Sequence, residues 1–400
     1  MPDAITAVLR HPRIAAARAA IEGADADTLA VQSAVSAIPS PTGAEGRRAA
    51  WLAERFREAG LTEVGLDAAG NVHGWLGARS AGPALVLAAH LDTVFGADVD
   101  VSVRRDGAAR LLGPGISDNA RGLAALVVLA RTLVRCAVAP ARPILFAGTV
   151  GEEGSGDLRG VRHLFGSRAF TPHALIAVDG AGVERIVHRG VGSVRMRARF
   201  RGPGGHSWAA FGVANAASAV GRAAAGVADI AIPKDPPSSC SVVRLGGGTG
   251  LNSIPQEAWL DLDVRSEGTD ALAALEGSAT TALERARDTE NARRVPGTPL
   301  LTLEIEPLGR RPSGLTPRTH PLVQAAVDAN RALGLAHELA ASSTDANLPM
   351  SLGIPAIAIG AGGAAGDTHR TSEWYENTGG PAGIVRALLV TAAVAGLPGA

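Results

Sequence analysis

Apolar positions recur along this chain with two periods, and the alternation between them lays out most of its elements. Residues 84–89 (ALVLAA) and 144–150 (ILFAGTV) are short, unbroken apolar runs, the pattern of strands covered on both faces. Between them, Leu123, Leu126, Val127, Ala130, Leu133 and Val134 repeat at helical spacing, and Asp118 or Asn119 stands where that helix needs a cap. Thr42 and Glu45 have capping-box spacing and open a helix through Trp51, Leu52 and Phe56 that stops at Gly60. Further strands are predicted at 71–76, 174–178 and 356–359. Further helices are predicted at 158–165, at 321–333 and from 381 onward, with a turn at 345–349. This order implies the α/β class: a mixed, largely parallel sheet sandwiched by helices. Between residues 187 and 307 the texture changes. Alternating strands (193–201, 240–245, 258–265) surround helices at 214–228 and 270–287, which reads as an inserted α+β domain. The expected organisation is an outer domain of residues 1–186 and 308–400, interrupted by the insert at 187–307.

Composition narrows the partners. The 38 basic and 38 acidic residues cancel, so neither nucleic acid nor an anionic membrane finds the basic surface it requires. Aromatic residues make up only 3%, which leaves little for base stacking. No apolar run reaches the ~20 residues of a membrane-spanning helix. The opening MPDAITAVLRHPRI lacks the basic-then-apolar order of a signal peptide. Cys136 and Cys240 have no metal or redox spacing and are expected to be buried free thiols. Together these point to the cytoplasm.

Candidate chemistry gathers at the ends of the predicted strands. The run 84–89 leads into His90-Leu91-Asp92, the loop GPGISDN presents Asp118 at a helix start, and the strand after it ends in Glu152-Glu153. The next strand ends in Asp179, and His369 follows the last one. In open α/β sheets, ligands bind outside the carboxyl ends of the strands, so these residues are expected to converge. Imidazole and carboxylate donors without thiolate suit zinc, and cobalt or manganese less well. Asp118, Glu153 and Asp179 carry enough negative charge, with one hydroxide, to balance two divalent cations. Adjacent residues in extended backbone point to opposite sides, so one glutamate of the pair can bind a cation while the other faces the reacting bond.

The motifs HLDTV, GPGISDNARG, GEEG, AVDG, GPGGHS, NSIP, DVRS and STDAN, with the late His369, resemble those of the di-zinc metallopeptidases. That family includes acetylornithine deacetylase, succinyl-diaminopimelate desuccinylase, glutamate carboxypeptidase and peptidase T. The resemblance implies that His90 and Asp179 hold one metal, Glu153 and His369 the other, and Asp118 bridges them. It makes Asp92 the partner that orients His90, and Glu152 the general base that takes a proton from water and returns it to the leaving nitrogen. It also implies a cis peptide at Asp118–Asn119, and a lid that doubles as a dimerisation domain. On that lid His206 would reach the partner subunit's site to stabilise an oxyanion, and Asn252 and Arg265 would contact substrate. Asp345 would lie near the metals. Each has a plain structural alternative: His206 capping a turn, Asn252 in a left-handed turn, Arg265 paired with Asp263, Asp345 capping a helix.

Two departures bear on substrate. The segment SSTDAN lacks the glycine-rich His-Asp motif of the ureide-cleaving branch, and HLDTVFG lacks the proline common in deacylases. Both lean toward a peptidase acting on a small peptide, ahead of an N-acyl-amino-acid deacylase or carboxypeptidase. A catalytically silent scaffold on the same fold would have no reason to keep every ligand position and Glu152. Glycoside hydrolysis by paired carboxylates would leave His90 and His369 unexplained and would call for more aromatic platforms.

Overall fold

All seven residues of the strand Ala84–His90 are buried, and they alternate between two cores. Leu85, Leu87 and Ala89 join one hydrophobic cluster, while Ala84, Val86 and Ala88 join another. That is what a strand with helices on both sides requires. Ile144–Thr149 and Pro172–Val178 flank it in parallel, and Ala356–Ile359 continues the parallel set beside Pro172–Val178. These four strands form the centre of a nine-stranded sheet. Antiparallel strands flank them, Val72–Leu76 and Thr62–Leu66 on one side and Arg185–Gly190 on the other, where Gly314–Leu315 and the parallel Glu338–Ser342 make up the nine. Four parallel strands share one carboxyl-terminal edge, and every strand-end residue named above is delivered there. This computed structural model describes residues 4–107 and 109–398.

One face is covered by Gly46–Ala59, Ala120–Arg135, Pro321–Ala332 and Gly380–Ala395, and the other by Arg159–Gly166 and Asn347–Ser351. Helix Ala120–Arg135 begins as predicted, with Asn119 as its cap accepting from the Gly122 amide at 3.1 Å. A Cβ on Gly122 would lie 2.2 Å from the Asn119 side-chain oxygen and 2.3 Å from the Val178 carbonyl. Only glycine lets the helix start press against the end of strand Pro172–Val178, which carries Asp118 toward Asp179. Among the described residues, no helix is long and apolar enough to cross a membrane.

The chain forms two compact units, Met1–Gly190 with Leu315–Ala400, and Val191–Gly314. The divisions fall a few residues beyond 187 and 307 for a physical reason. Val187 pairs with Ala358 in the large sheet, and strand Thr302–Arg311 belongs wholly to the insert's sheet. That second sheet is antiparallel, in the order Ser238–Gly247, Glu257–Ser266, Gly192–Arg201, Thr302–Arg311. Helices Ala216–Ala228 and Thr269–Arg293 pack on one face against Val194, Met196, Ala198 and Phe200. The alternate positions carry Arg197, Arg199 and Arg201, paired across strands with Asp261, Glu306 and Glu257.

Several expectations need correction. Thr42 and Glu45 form no capping box: the Thr42 hydroxyl donates to Asp92 at 2.8 Å, and Glu45 accepts from the Gly43 and Gly151 amides. Both side chains are drawn away by buried donors and acceptors of the site loops, which outweigh a local helix cap. Asp345 does not cap a helix either, because Ala346 occupies the cap of Asn347–Ser351. Cys136 and Cys240 are free, but partly exposed rather than buried. Helices Ala4–Arg10, Pro12–Gly23 and Asp25–Ser36, unmarked by strong periodicity, pack against the first unit's core through Ile5, Ile14, Ile21 and Val35. A small antiparallel sheet, Ala364–Gly366, Trp374–Glu376, Arg110–Leu112 and Arg104–Asp106, was also invisible in the pattern. Its three-residue strands are too short to show a period.

Candidate dinuclear metal centre

The first strand-end residue, His90, is 3% exposed. Its Nε2 lies 2.9 Å from Asp118 Oδ1 and 3.7 Å from Asp179 Oδ1. Its Nδ1 faces the main-chain oxygen of Asp92 at 3.1 Å, with the Asp92 carboxylate at 3.6 Å. With a cation bound between Nε2 and the two aspartates, donation of the Nδ1 proton to that carbonyl would fix the ring. The other oxygen of Asp118, Oδ2, lies 3.1 Å from His369 Nε2, which stands 3.0 Å from Glu153 Oε1. The peptide Asp118–Asn119 is cis, as expected.

These atoms form two donor triads with one shared member, His90–Asp118–Asp179 and Asp118–Glu153–His369. Donors about 2.0–2.1 Å from a tetrahedral zinc stand ~3.3 Å apart, and the separations here bracket that value. Hard carboxylates with imidazoles, one carboxylate presenting an oxygen to each side, fit two divalent cations.

Glu152 is 5% exposed and shares a cluster with His90 and Glu153. The pair is set by its backbone. The Glu152 amide donates to Asp92 Oδ1 at 2.9 Å and the Glu153 amide to Oδ2 at 2.8 Å. Asp92 thus orients His90 through its carbonyl and the glutamates through its carboxylate, with Thr42 as a further donor. Asn71 accepts from the Val150 amide and Glu45 from the Gly151 amide, which fixes the strand exit. The fully buried Arg48 donates to the Leu91 carbonyl. Burial pushes its guanidinium down to about 10, against the pull of Asp92. Thr42, Glu45, Asn71 and Arg48 carry no sequence signal of this role, because a neutral or paired polar residue looks the same on a surface.

Electrostatics follow from the crowding. Burial alone would lower the His90 pKa, but hydrogen bonds to Asp118, Asp179 and Asp92 outweigh it and raise it well above the usual value. Hydrogen bonds to Asp118 and Glu153 push His369 up to about 10. Burial would raise Asp118, yet His369 and His90 hold it well below the ordinary carboxylate range. Both shifts favour protonated imidazoles in the metal-free protein, and a cation must displace those protons. Metal uptake should release roughly one to two protons per chain, and apparent affinity should rise as pH increases from 6 to 9. Calorimetric titration with zinc in buffers of different ionisation enthalpy measures this; a buffer-independent heat would contradict it.

The remaining sequence candidates belong to neither triad, although the Asp345 carboxylate feels the charges of His90, Asp92 and Asp179. Asp345 is buried, its Oδ2 accepting from Thr149 at 2.5 Å, and burial pushes its carboxyl up to about 6. In the second unit, the exposed His206 accepts at Nδ1 from the Trp208 amide at 3.2 Å, a turn-capping arrangement. Asn252 is its neighbour, its main-chain oxygen accepting from the Ser207 amide. Arg265 is paired with Asp263 at 3.0 Å.

The fold and this pair of triads define a class: a mixed α/β scaffold whose strand ends carry a carboxylate–histidine cluster fit for two divalent cations. The sequence profile of Peptidase family M20/M25/M40 matches residues 86–395, and the chain belongs to that family. It is therefore a hydrolase of the peptidase and amidohydrolase type. Among curated proteins, no sequence matches the chain. Among solved structures, it is similar to a tripeptidase from Staphylococcus aureus, with 20% identity, 93% of this chain and 98% of that one covered, and a TM-score of 0.77. It is also similar to the aminopeptidase PepT from Bacillus cereus, with 20% identity, 92% and 97% covered, and a TM-score of 0.72. A third is the Bacillus subtilis YXEP protein, described as a dinuclear metal-binding peptidase, with 16% identity, 94% and 98% covered, and a TM-score of 0.67. At these identities the likeness speaks for the fold alone.

Proposed function

We propose that the protein is a zinc-dependent peptidase that cleaves an amide bond in a small peptide, with Glu152 as general base. The observation that carries this reading is the shared carboxylate: each oxygen of Asp118 faces a different histidine, and Glu152 lies beside His90. Two cations bound there would supply Lewis acidity for the carbonyl and lower the pKa of water. Glu152 then takes a proton from the attacking water and returns it to the leaving nitrogen. Its amide, tied to Asp92, keeps the side chain in place through both transfers. A cavity of about 540 Å³ opens beside Asp118 and Asp179, lined by Gly180, Gly182, Ala364 and Ala365. Glu184 and Arg185 also line it, and it has room for a small substrate. A chelator should abolish hydrolysis of di- and tripeptides, and zinc, or less well cobalt or manganese, should restore it. Peptide turnover that survives complete metal removal would reject the reading, and N-acyl amino acids in the same panel test the deacylase alternative.

The insert supplies a pairing surface in this reading. Ser238–Gly247 is an edge strand that exposes Val243 and Leu245, and a second copy aligned on it gives a homodimer. His206 would then serve the oxyanion in the partner's site, with Asn252 and Arg265 on the substrate and Asp345 supporting the metals from behind. Light scattering should find a dimer at micromolar concentration; a monomer would remove this part. The two free cysteines fit a cytoplasmic setting.

A further inference from the structure

Glu373 is fully buried, yet all four hydrogen bonds to its carboxylate come from one loop, residues 115–118. Oε2 accepts from the Gly115 amide at 3.0 Å. Oε1 accepts from the Ser117 amide at 2.8 Å, the Ser117 hydroxyl at 2.6 Å and the Asp118 amide at 3.0 Å. Its own main-chain oxygen accepts from the Gly113 amide at 2.9 Å, where Leu112 and Trp374 pair in the small sheet. Converging backbone amides form an anion-binding nest, and here a side chain of the protein fills it. The same segment carries His369, whose backbone sits in the left-handed region (φ 67°) within a turn closed by the Arg370 amide on the Asp367 carbonyl. One short stretch thus carries one ligand and grips the main chain of another.

We propose that Glu373 is a positioning residue that sets the separation of Asp118 and His369, and so tunes the affinity of the Asp118–Glu153–His369 triad in particular. The inference rests on the dinuclear reading above. It follows from connectivity. His90 and Asp179 are held by their own strand ends, whereas His369 lies in a loop tied to Asp118 through Glu373. Loss of this carboxylate leaves three amides and a hydroxyl without their acceptor and frees the two loops from each other.

The test is zinc titration of Glu373→Gln, Ser117→Ala and His369→Ala beside wild type, with melting of the metal-free forms. Glu373→Gln should still bind two ions. Its weaker phase should lose about 10–100-fold in affinity, while the tighter phase matches the one His369→Ala retains. Excess zinc should return its kcat to near the wild-type value, because the residue acts through occupancy. Ser117→Ala should shift the same phase by a few-fold, so the idea stays testable if the Gln variant does not fold. Unchanged phases in both variants would overturn it. So would equal weakening of both phases with a lowered metal-free melting temperature, the mark of a merely structural role. A wild type that binds no zinc would instead sink the dinuclear reading itself, a separate and recognisable failure.

Discussion

Glu152→Gln will keep both metals and lose peptide turnover by about 10²–10⁴-fold, the usual worth of a positioned general base. Glutamine preserves the volume of a side chain that is 5% exposed, and the amide hydrogen bond from residue 152 to Asp92 does not depend on the side chain. The exchange therefore changes proton affinity and little else. Neither triad that shares Asp118 includes Glu152, so metal content measured by atomic emission should stay at the wild-type value. The loss should appear in kcat rather than in KM, since the proton moves only as the bond breaks. A variant with full metal and near-normal kcat would assign the base to another group.

Asp118→Asn will do more damage. Both carboxylate oxygens are engaged, 2.9 Å from His90 and 3.1 Å from His369, and an amide can offer an oxygen to only one of them. The other side would present an N–H₂ group, which repels a cation. Bound metal should fall from two ions to one or none, and turnover on the order of a thousandfold or more. Asp179→Asn and Glu153→Gln each touch one triad only and should leave one ion bound. If Asp118→Asn retained two ions at wild-type affinity, the shared-carboxylate arrangement would be refuted.

Much of this centre was legible before any coordinates. His90, Asp118, Glu153 and Asp179 could be named because each follows an apolar run of strand length or precedes a helix, and parallel strands put such positions on one edge, while His369 stands in the loop after the last of them. The helix cap at Asn119 was readable for a similar local reason, a short polar side chain ahead of a periodic apolar stretch. The capping box was misread because Thr42 and Glu45 have the right spacing but better partners from elsewhere in the chain, Asp92 and Gly151. Local pattern cannot show a competitor that is distant in sequence. Glu373 was overlooked on the same ground: its partners lie more than 250 residues away.

By itself, the chain's order of apolar and polar residues determined the parallel α/β frame, the inserted α+β unit and the identity of the acid and imidazole groups, because those depend on period and on neighbours close in sequence. Only the tertiary structure decided how these groups are aimed: Asp118 turned with one oxygen to each histidine, Asp92 split between a carbonyl for His90 and a carboxylate for the glutamates, Glu373 plugging a nest of amides. Aim is a matter of which donors and acceptors meet when segments far apart in the chain are packed without water, and that is settled by the assembled fold.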